Sequence, residues 1–166
     1  MTVRPILLWP DLKLQAKCAP VQEITPQIET LTADMLETMY DAPGRGLAAP
    51  QVGELLRVLV MDATWKDGKP DPVAMINPDI REVSEDRASQ AEGCLSIPGV
   101  MAEVSRPKRV KVAWTGLNGG QFQQVFDGFA AACVQHEIDH LDGLVTFDRL
   151  SPDARTKAEA KYKALP

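Results

Sequence analysis

The segment QHEIDHLDG, residues 135–143, contains both histidines of the chain. His136 and His140 are four residues apart, so on a helix both imidazoles project from one face and can bind one metal ion. Glu137 follows the first histidine, where its carboxylate can take a proton from a water molecule at that ion. Catalytic metal sites usually have three protein ligands and one position open to water. The segment therefore predicts a hydrolytic metal centre and supplies two of its three ligands.

The residues leave several candidates for the third ligand. The long zincin pattern would end at Thr146, which is not a ligand, so that pattern fails. Glu159 could come from a following helix, but its lysine-rich surroundings predict a solvated position. Cys133 is seven residues from His140, about 10.5 Å of helix rise, which short metal bonds do not span well. Cys94 lies in EGCLSIPG, whose glycines and proline predict an irregular loop. Its thiolate would complete a set of three metal ligands with the two histidines. The alternative is that Cys94 is an inert buried thiol.

Three segments, in this order, resemble the signatures of the peptide deformylase family: GRGLAAPQVG (44–53), EGCLSIPG (92–99) and QHEIDHLDG. The N-terminal ILLWPDLKL and PVQEI are also similar to the family, so the resemblance covers essentially the whole chain. It implies a metal-dependent hydrolase that removes the N-formyl group from N-formylmethionyl nascent peptides and releases formate. The resemblance implies that Cys94, His136 and His140 bind the metal. It implies that Glu137 is the general base and then the general acid. It also implies that the Gln51 side chain and the Leu95 backbone N–H donate hydrogen bonds to the oxyanion.

The resemblance also implies where the substrate lies. Gly46 would lie beside the peptide, and Gly93 would offer its backbone to it. Phe129, Ala132 and Cys133 precede the first histidine and are candidates for the pocket of the methionine side chain, with plain core packing as the alternative for the first two.

Two positions depart from the family pattern. Arg45 stands where the family usually has an aliphatic residue, and Met101 where members often have an arginine that touches the substrate backbone. We expect these changes to affect substrate preference and affinity while leaving the chemistry intact. A salt bridge between Glu92 and Arg106, with Asp139 as a further partner, is a weaker expectation, because isolated charges are more often solvated.

The ligand set alone does not select the metal, since one thiolate and two imidazoles accept zinc, cobalt, nickel or iron. The resemblance favours one Fe2+ per chain in the cell, with Zn2+ second and Ni2+ or Co2+ as alternatives. A different hypothesis is a paralogue that acts on another small N-acyl substrate or mainly binds at the ribosome. Glu137 and Gln51 favour the enzyme, because a binding module needs neither. The basic C-terminal RTKAEAKYKAL would attract ribosomal RNA in a transient contact, or is simply a solvated helix face.

Length and composition limit the class of protein. The chain has 166 residues, 45% hydrophobic and 25% charged, as expected for one globular catalytic domain over 1–166. Its net charge of −5 argues against a DNA partner. The start, MTVRPILLWPDLKL, is too short and too interrupted by prolines for a signal peptide or a membrane span. Three scattered cysteines argue against a disulfide scaffold, and we expect a cytoplasmic monomer.

The elements that must position these residues follow from periodicity and end signals. TPQIETLTADMLETMY predicts a helix with Thr25 as N-cap and Pro26 in the first position. A strand is predicted for LLRVLVMD. Two further strands or a hairpin are predicted for VAMINPDI and REVSEDRAS. A hairpin around the turn GLNGG is predicted for KRVKVAW and QFQQVF. DGFAAACVQHEIDHLDG predicts a buried helix capped by Asp127 and ended by Gly143, and SPDARTKAEAKYKAL a C-terminal helix over about 152–164. With an extended arm over 1–24, the chain is predicted to be α+β, with mixed, mostly antiparallel sheets around a central metal-binding helix.

Overall fold

The computed structural model describes residues 1–166 and contains three α-helices and two β-sheets. The helices are α1 (Pro26–Asp41), α2 (Gly128–Leu141) and α3 (Pro152–Lys163). The strands are β1 (Gly46–Ala48), β2 (Val58–Met61), β3 (Val73–Val83), β4 (Arg87–Cys94), β5 (Ile97–Pro107), β6 (Arg109–Thr115) and β7 (Gln121–Asp127). One sheet has the order β1-β2-β3-β6-β7, the other consists of β4 and β5, and all paired strands are antiparallel.

Helix α1 forms as predicted and covers one part of the large sheet. The Thr25 side chain accepts a hydrogen bond from the N–H of Ile28, and Pro26 occupies the first turn, where its missing N–H costs nothing. The apolar face of α1 packs on β1 and β2. Every residue of β2 is buried, because helices cover both of its faces.

Helix α2 is the buried centre of the fold. All of its residues from Ala131 to Leu141 are buried, and it packs against β1, β2, β6 and β7. Asp127 occupies the N-cap position, but its side chain makes no capping hydrogen bond. Gly143 has a φ of 78° beyond the last turn, and a Cβ there would lie 2.7 Å from the carbonyl oxygen of Gln15. Only glycine fits at this end of the helix.

The β4–β5 hairpin differs from the prediction in two ways. VAMINPDI and REVSEDRAS do not form two paired strands, because β3 continues through VAMINPDI into the first three residues of REVSEDRAS. The last three residues of REVSEDRAS begin β4, which belongs to the other sheet. EGCLSIPG is not an irregular loop, because it contains the end of β4, a two-residue turn and the start of β5, with Cys94 paired to Ile97. Glycine and proline resembled loop signals, but edge strands tolerate both. Strand β5, which the sequence reading leaves unassigned, alternates buried and exposed residues from Val100 onward.

The N-terminal arm is only partly extended. It contains a short 3-10 helix, Leu12–Gln15, and is tied to the rest of the chain along its length. The N–H of Leu7 donates to the carbonyl of Gln51, and the N–H of Trp9 donates to the carbonyl of Ser96. These two bonds hold together the segments that carry GRGLAAPQ and EGCLS. None of the three helices combines the length and the hydropathy that crossing a membrane requires.

Candidate metal centre and active site

Three side chains that can bind a metal meet where α2 approaches the end of β4. The ligand atoms of Cys94, His136 and His140 all lie within 4.8 Å of one another, and Cys94 Sγ is 3.4 Å from His140 Nε2. Ligand atoms around a tetrahedral ion are about 3.5 Å apart, so a thiolate and two imidazoles at these positions fit one ion. Cys133 and Glu159 do not belong to this group. Glu159 instead accepts a hydrogen bond from Arg155 within α3.

A buried charge network fixes the first histidine. His136 Nδ1 lies 3.0 Å from Glu92 Oε1, which leaves Nε2 to face the other two ligands. Arg106 donates two hydrogen bonds to Glu92, of 2.7 and 2.9 Å, and one to Asp139, of 2.9 Å. Arg149 binds the same aspartate from the segment before α3. The expected salt bridge is therefore confirmed, and it joins the hairpin to α2.

We expect Arg106→Met to lower the free energy of unfolding by about 3–5 kcal/mol, because it leaves the buried carboxylates of Glu92 and Asp139 without their shared cation. Arg149→Met is the matched control, since its side chain is 44% exposed and the expected loss is about 1 kcal/mol or less. Urea titration followed by far-UV circular dichroism measures both. Equal losses would show that the buried position of Arg106 is energetically unimportant.

Glu137 is buried beside the Cys-His-His cluster, with 4% of its surface exposed. Its Oε1 has no hydrogen-bond partner. Burial raises the pKa of this carboxyl to about 7, an effect that His136 opposes and Glu92 reinforces. A divalent cation at the ligands would lower the pKa again. Gly46 leaves room for the carboxylate, because a Cβ on Gly46 would collide with Glu137 Oε2.

Gln51 and Leu95 place hydrogen-bond donors next to the Cys-His-His cluster. Gln51 is 1% exposed, its Oε1 accepts from the N–H of Ala48, and its Nε2 donates to Ser96 Oγ at 3.0 Å. The same Nε2 lies 3.8 Å from Cys94 Sγ. Leu95 is in the hairpin turn, and its N–H donates to no backbone carbonyl. Both donors are thus held close to the ligand cluster by local structure.

A cavity of about 590 Å³ opens from this cluster to the surface. His140 is fully buried behind it and does not line it. The sequence-predicted substrate residues all line it, and these are Arg45, Gly46, Gly93, Phe129, Ala132 and Cys133. Burial raises the pKa of the Cys133 thiol well above its usual value, with Glu137 adding to the effect. Cys133 is therefore a protonated, apolar part of the wall.

Comparison with known proteins identifies the family. The family described as Polypeptide deformylase matches residues 3–156, which is nearly the whole chain. The chain belongs to the peptide deformylase family. A peptide deformylase of Rhodopseudomonas palustris (strain BisB5) is 46% identical over 165 residues, covering 98% of this chain and 94% of the relative. A peptide deformylase of Acinetobacter baumannii (strain SDF) is 42% identical over 165 residues, covering 99% of this chain and 93% of the relative.

Solved deformylases have the same fold. The Legionella pneumophila enzyme matches with a TM-score of 0.91 at 39% identity, covering 98% of this chain and 94% of that one. The Ehrlichia chaffeensis enzyme in complex with actinonin matches with a TM-score of 0.91 at 37% identity, covering 100% of both chains. The predicted α+β fold class and the predicted enzyme class, a peptide deformylase, are both confirmed.

Three residues of the deformylase site are not predicted from the sequence. Ser96 Oγ accepts a hydrogen bond from the Gln51 amide, and Arg149 donates hydrogen bonds to Asp139. Lys66 lines the cavity mouth. Ser96 was within reach, because it belongs to the EGCLS segment that the family signature includes. Lys66 lies in a segment read only as a surface turn, and nothing in the local sequence of Arg149 indicates its distant partner.

Proposed function

We propose that this chain removes the N-formyl group from N-formylmethionyl peptides by metal-assisted hydrolysis at the inner end of the cavity. The observation that carries the proposal is the convergence of three elements on one point: the Cys-His-His cluster, the unpartnered buried carboxylate of Glu137, and the amide of Gln51. Hydrolysis of an amide requires a nucleophile, a proton carrier and a stabiliser of the oxyanion. The three elements correspond to these needs in turn.

Cys94, His136 and His140 would hold one divalent metal ion, Fe2+ in the cell by family resemblance, with Zn2+, Ni2+ or Co2+ as substitutes. When bound, such an ion polarises a carbonyl oxygen and makes water a nucleophile near neutral pH. The positions of the two histidines support this assignment. His140 is fully buried with its Nε2 3.4 Å from Cys94 Sγ, and His136 Nδ1 is bound to Glu92, which leaves its Nε2 for the ion.

Glu137 would carry the proton. Its carboxylate accepts a proton from the attacking water and then delivers it to the nitrogen of the departing amine. The side chain suits this task because its Oε1 is not committed to another group, and because Gly46 leaves the carboxylate facing the cavity.

The Gln51 Nε2 and the Leu95 N–H would donate to the oxyanion that forms on the formyl oxygen. We expect Gln51→Leu to lower kcat by about 10²–10³-fold, the usual effect of removing one such donor. Formate release under saturating peptide measures kcat, and Gln124→Leu on the exposed strand β7 is the matched control. A Gln51→Leu enzyme with unchanged kcat and full metal content would exclude this role.

The substrate peptide would lie in an extended conformation between β1 and β4. Each of these strands has one backbone edge without a partner strand, and both contribute glycine to the cavity, Gly46 and Gly93. An added strand can use such edges for main-chain hydrogen bonds. The methionine side chain would pack against Phe129, Ala132 and Cys133, since an unbranched thioether fits an irregular apolar pocket.

We also propose that the enzyme is a cytoplasmic monomer that contacts the ribosome transiently. Three exposed lysines of α3, Lys157, Lys161 and Lys163, support the contact, because attraction to RNA phosphates does not depend on sequence.

The test of the proposed function is formate release from N-formyl-Met-Ala-Ser by protein purified without oxygen and loaded with iron or nickel. The expected turnover is in the usual enzyme range of about 1–10³ per second. Absence of turnover with a full metal site would contradict the proposal. It would favour the alternative, a related protein that acts on another small N-acyl substrate or that mainly binds at the ribosome.

A further inference from the structure

The mouth of the cavity carries an arginine whose charge has no carboxylate partner in the chain. The Arg45 guanidinium lies 4.7 Å from the centroid of the Phe129 ring, a cation–π contact on a ring that is 46% exposed. Arg45 takes part in none of the ion pairs of the chain. Its Nε is shielded from solvent and has no hydrogen-bond partner.

The acidic residues of the cavity cannot neutralise this charge. Glu92 is bound to Arg106 and His136, and Glu137 lies buried at the inner end. At the mouth, Lys66 adds a second cation. The chain as a whole has a net charge of −5, so the positive charge at the mouth is a local feature.

The opposite wall offers no competing charge. Met101 is 60% exposed and lines the cavity, and its Sδ lies 3.1 Å from the position that a Cβ on Gly93 would occupy. A peptide between the two walls would thus meet a neutral surface on one side and an unpaired guanidinium on the other.

We infer that Arg45 is a specificity residue that favours formylated peptides with an acidic side chain at their third residue. The inference rests on the proposed function. Side chains of an extended peptide alternate, so the third side chain leaves on the same face as the methionine, about 6.6–6.8 Å further along. With the methionine beside Phe129 and Cys133, the third side chain lies towards the mouth, where Arg45 stacks on Phe129. A guanidinium held in this way can bind a carboxylate through two parallel hydrogen bonds.

The experiment compares four formylated peptide amides whose sequences are Met-Ala-Glu-Ser, Met-Ala-Gln-Ser, Met-Glu-Ala-Ser and Met-Gln-Ala-Ser. The amide cap leaves the glutamate as the only carboxylate, and each Glu/Gln pair differs in charge but hardly in shape. For each peptide, kcat/KM for formate release is measured with the metal-loaded wild-type enzyme, Arg45→Met, Arg45→Lys and the distant control Lys17→Met. Because the result is a ratio within one enzyme preparation, differences in folding or metal content cancel.

We expect the Glu/Gln ratio at the third residue to be about five- to tenfold in the wild type, the range of a partly shielded ion pair. The ratio at the second residue should be smaller. Arg45→Met should bring the third-residue ratio close to one, Arg45→Lys should keep part of it, and Lys17→Met should keep all of it. Raising the ionic strength from about 0.05 M to about 0.5 M should reduce the wild-type ratio.

A wild-type ratio of one, or a ratio that survives Arg45→Met, would overturn the inference while deformylation of the glutamine peptides still supports the proposed function. Failure of the wild-type enzyme on all four peptides would overturn the proposed function and the inference with it. The two failures are therefore distinguishable in one data set.

Discussion

Glu137→Gln is expected to lower formate release by about 10²–10⁴-fold, the usual contribution of a positioned proton carrier, while the metal content stays unchanged. The amide has the size of the carboxylate but cannot accept the proton of water or return it to the amine. The site would otherwise be conserved, because Glu137 Oε1 makes no hydrogen bond that the substitution could break. The measurement is kcat with N-formyl-Met-Ala-Ser, alongside metal content by atomic absorption.

Glu159→Gln is the matched control for this experiment. Glu159 lies in α3, does not line the cavity and is paired with Arg155, so its loss should leave kcat within about twofold of wild type. If Glu137→Gln kept full activity with full metal, the proton would have to be carried by another group, and the role proposed for Glu137 would be wrong.

Cys94→Ala is expected to reduce the bound metal from about one ion per chain to less than about a tenth, and to abolish deformylation with it. Removing one of three ligands leaves two imidazoles, and a thiolate is the strongest donor of the set for soft or borderline ions. Metal content after gel filtration, measured by atomic absorption, is the direct readout. Cobalt substitution adds a second one, because the thiolate-to-cobalt absorption band should disappear with Cys94.

Two variants make this test specific. Cys133→Ala and Glu159→Ala each remove another residue considered for the third ligand, and Cys133 lines the same cavity as Cys94. Both are expected to keep a full metal content, since neither residue belongs to the ligand cluster. Loss of metal in Glu159→Ala, with retention in Cys94→Ala, would reverse the ligand assignment.

Much of the fold followed from local sequence patterns. The N-cap of α1, the hairpin of β6 and β7 and the helix that carries the histidines were all predicted, because each depends on residues within a few positions of one another. The β4–β5 hairpin was not, because its glycines and proline resembled those of a loop and only the pairing of Cys94 with Ile97 shows that the turn is tight.

The chemistry of the site was partly readable in the same way. The i, i+4 spacing of His136 and His140 indicated two ligands and a neighbouring carboxylate, and the joint order of three signatures indicated the family. The residues alone left the third ligand open among distant candidates.

Only the tertiary structure brings Gln51, Cys94 and His140 together, since pairs among them are 43 and 46 residues apart in sequence. The same holds for Arg106, which joins Glu92 to an aspartate 33 residues away, and for the unpaired Arg45 at the cavity mouth. Local periodicity records which face of an element is apolar, but it does not record which other element covers that face. The sequence by itself therefore determined the kind of chemistry, whereas the packing of the hairpin against α2 determined which side chains share the site.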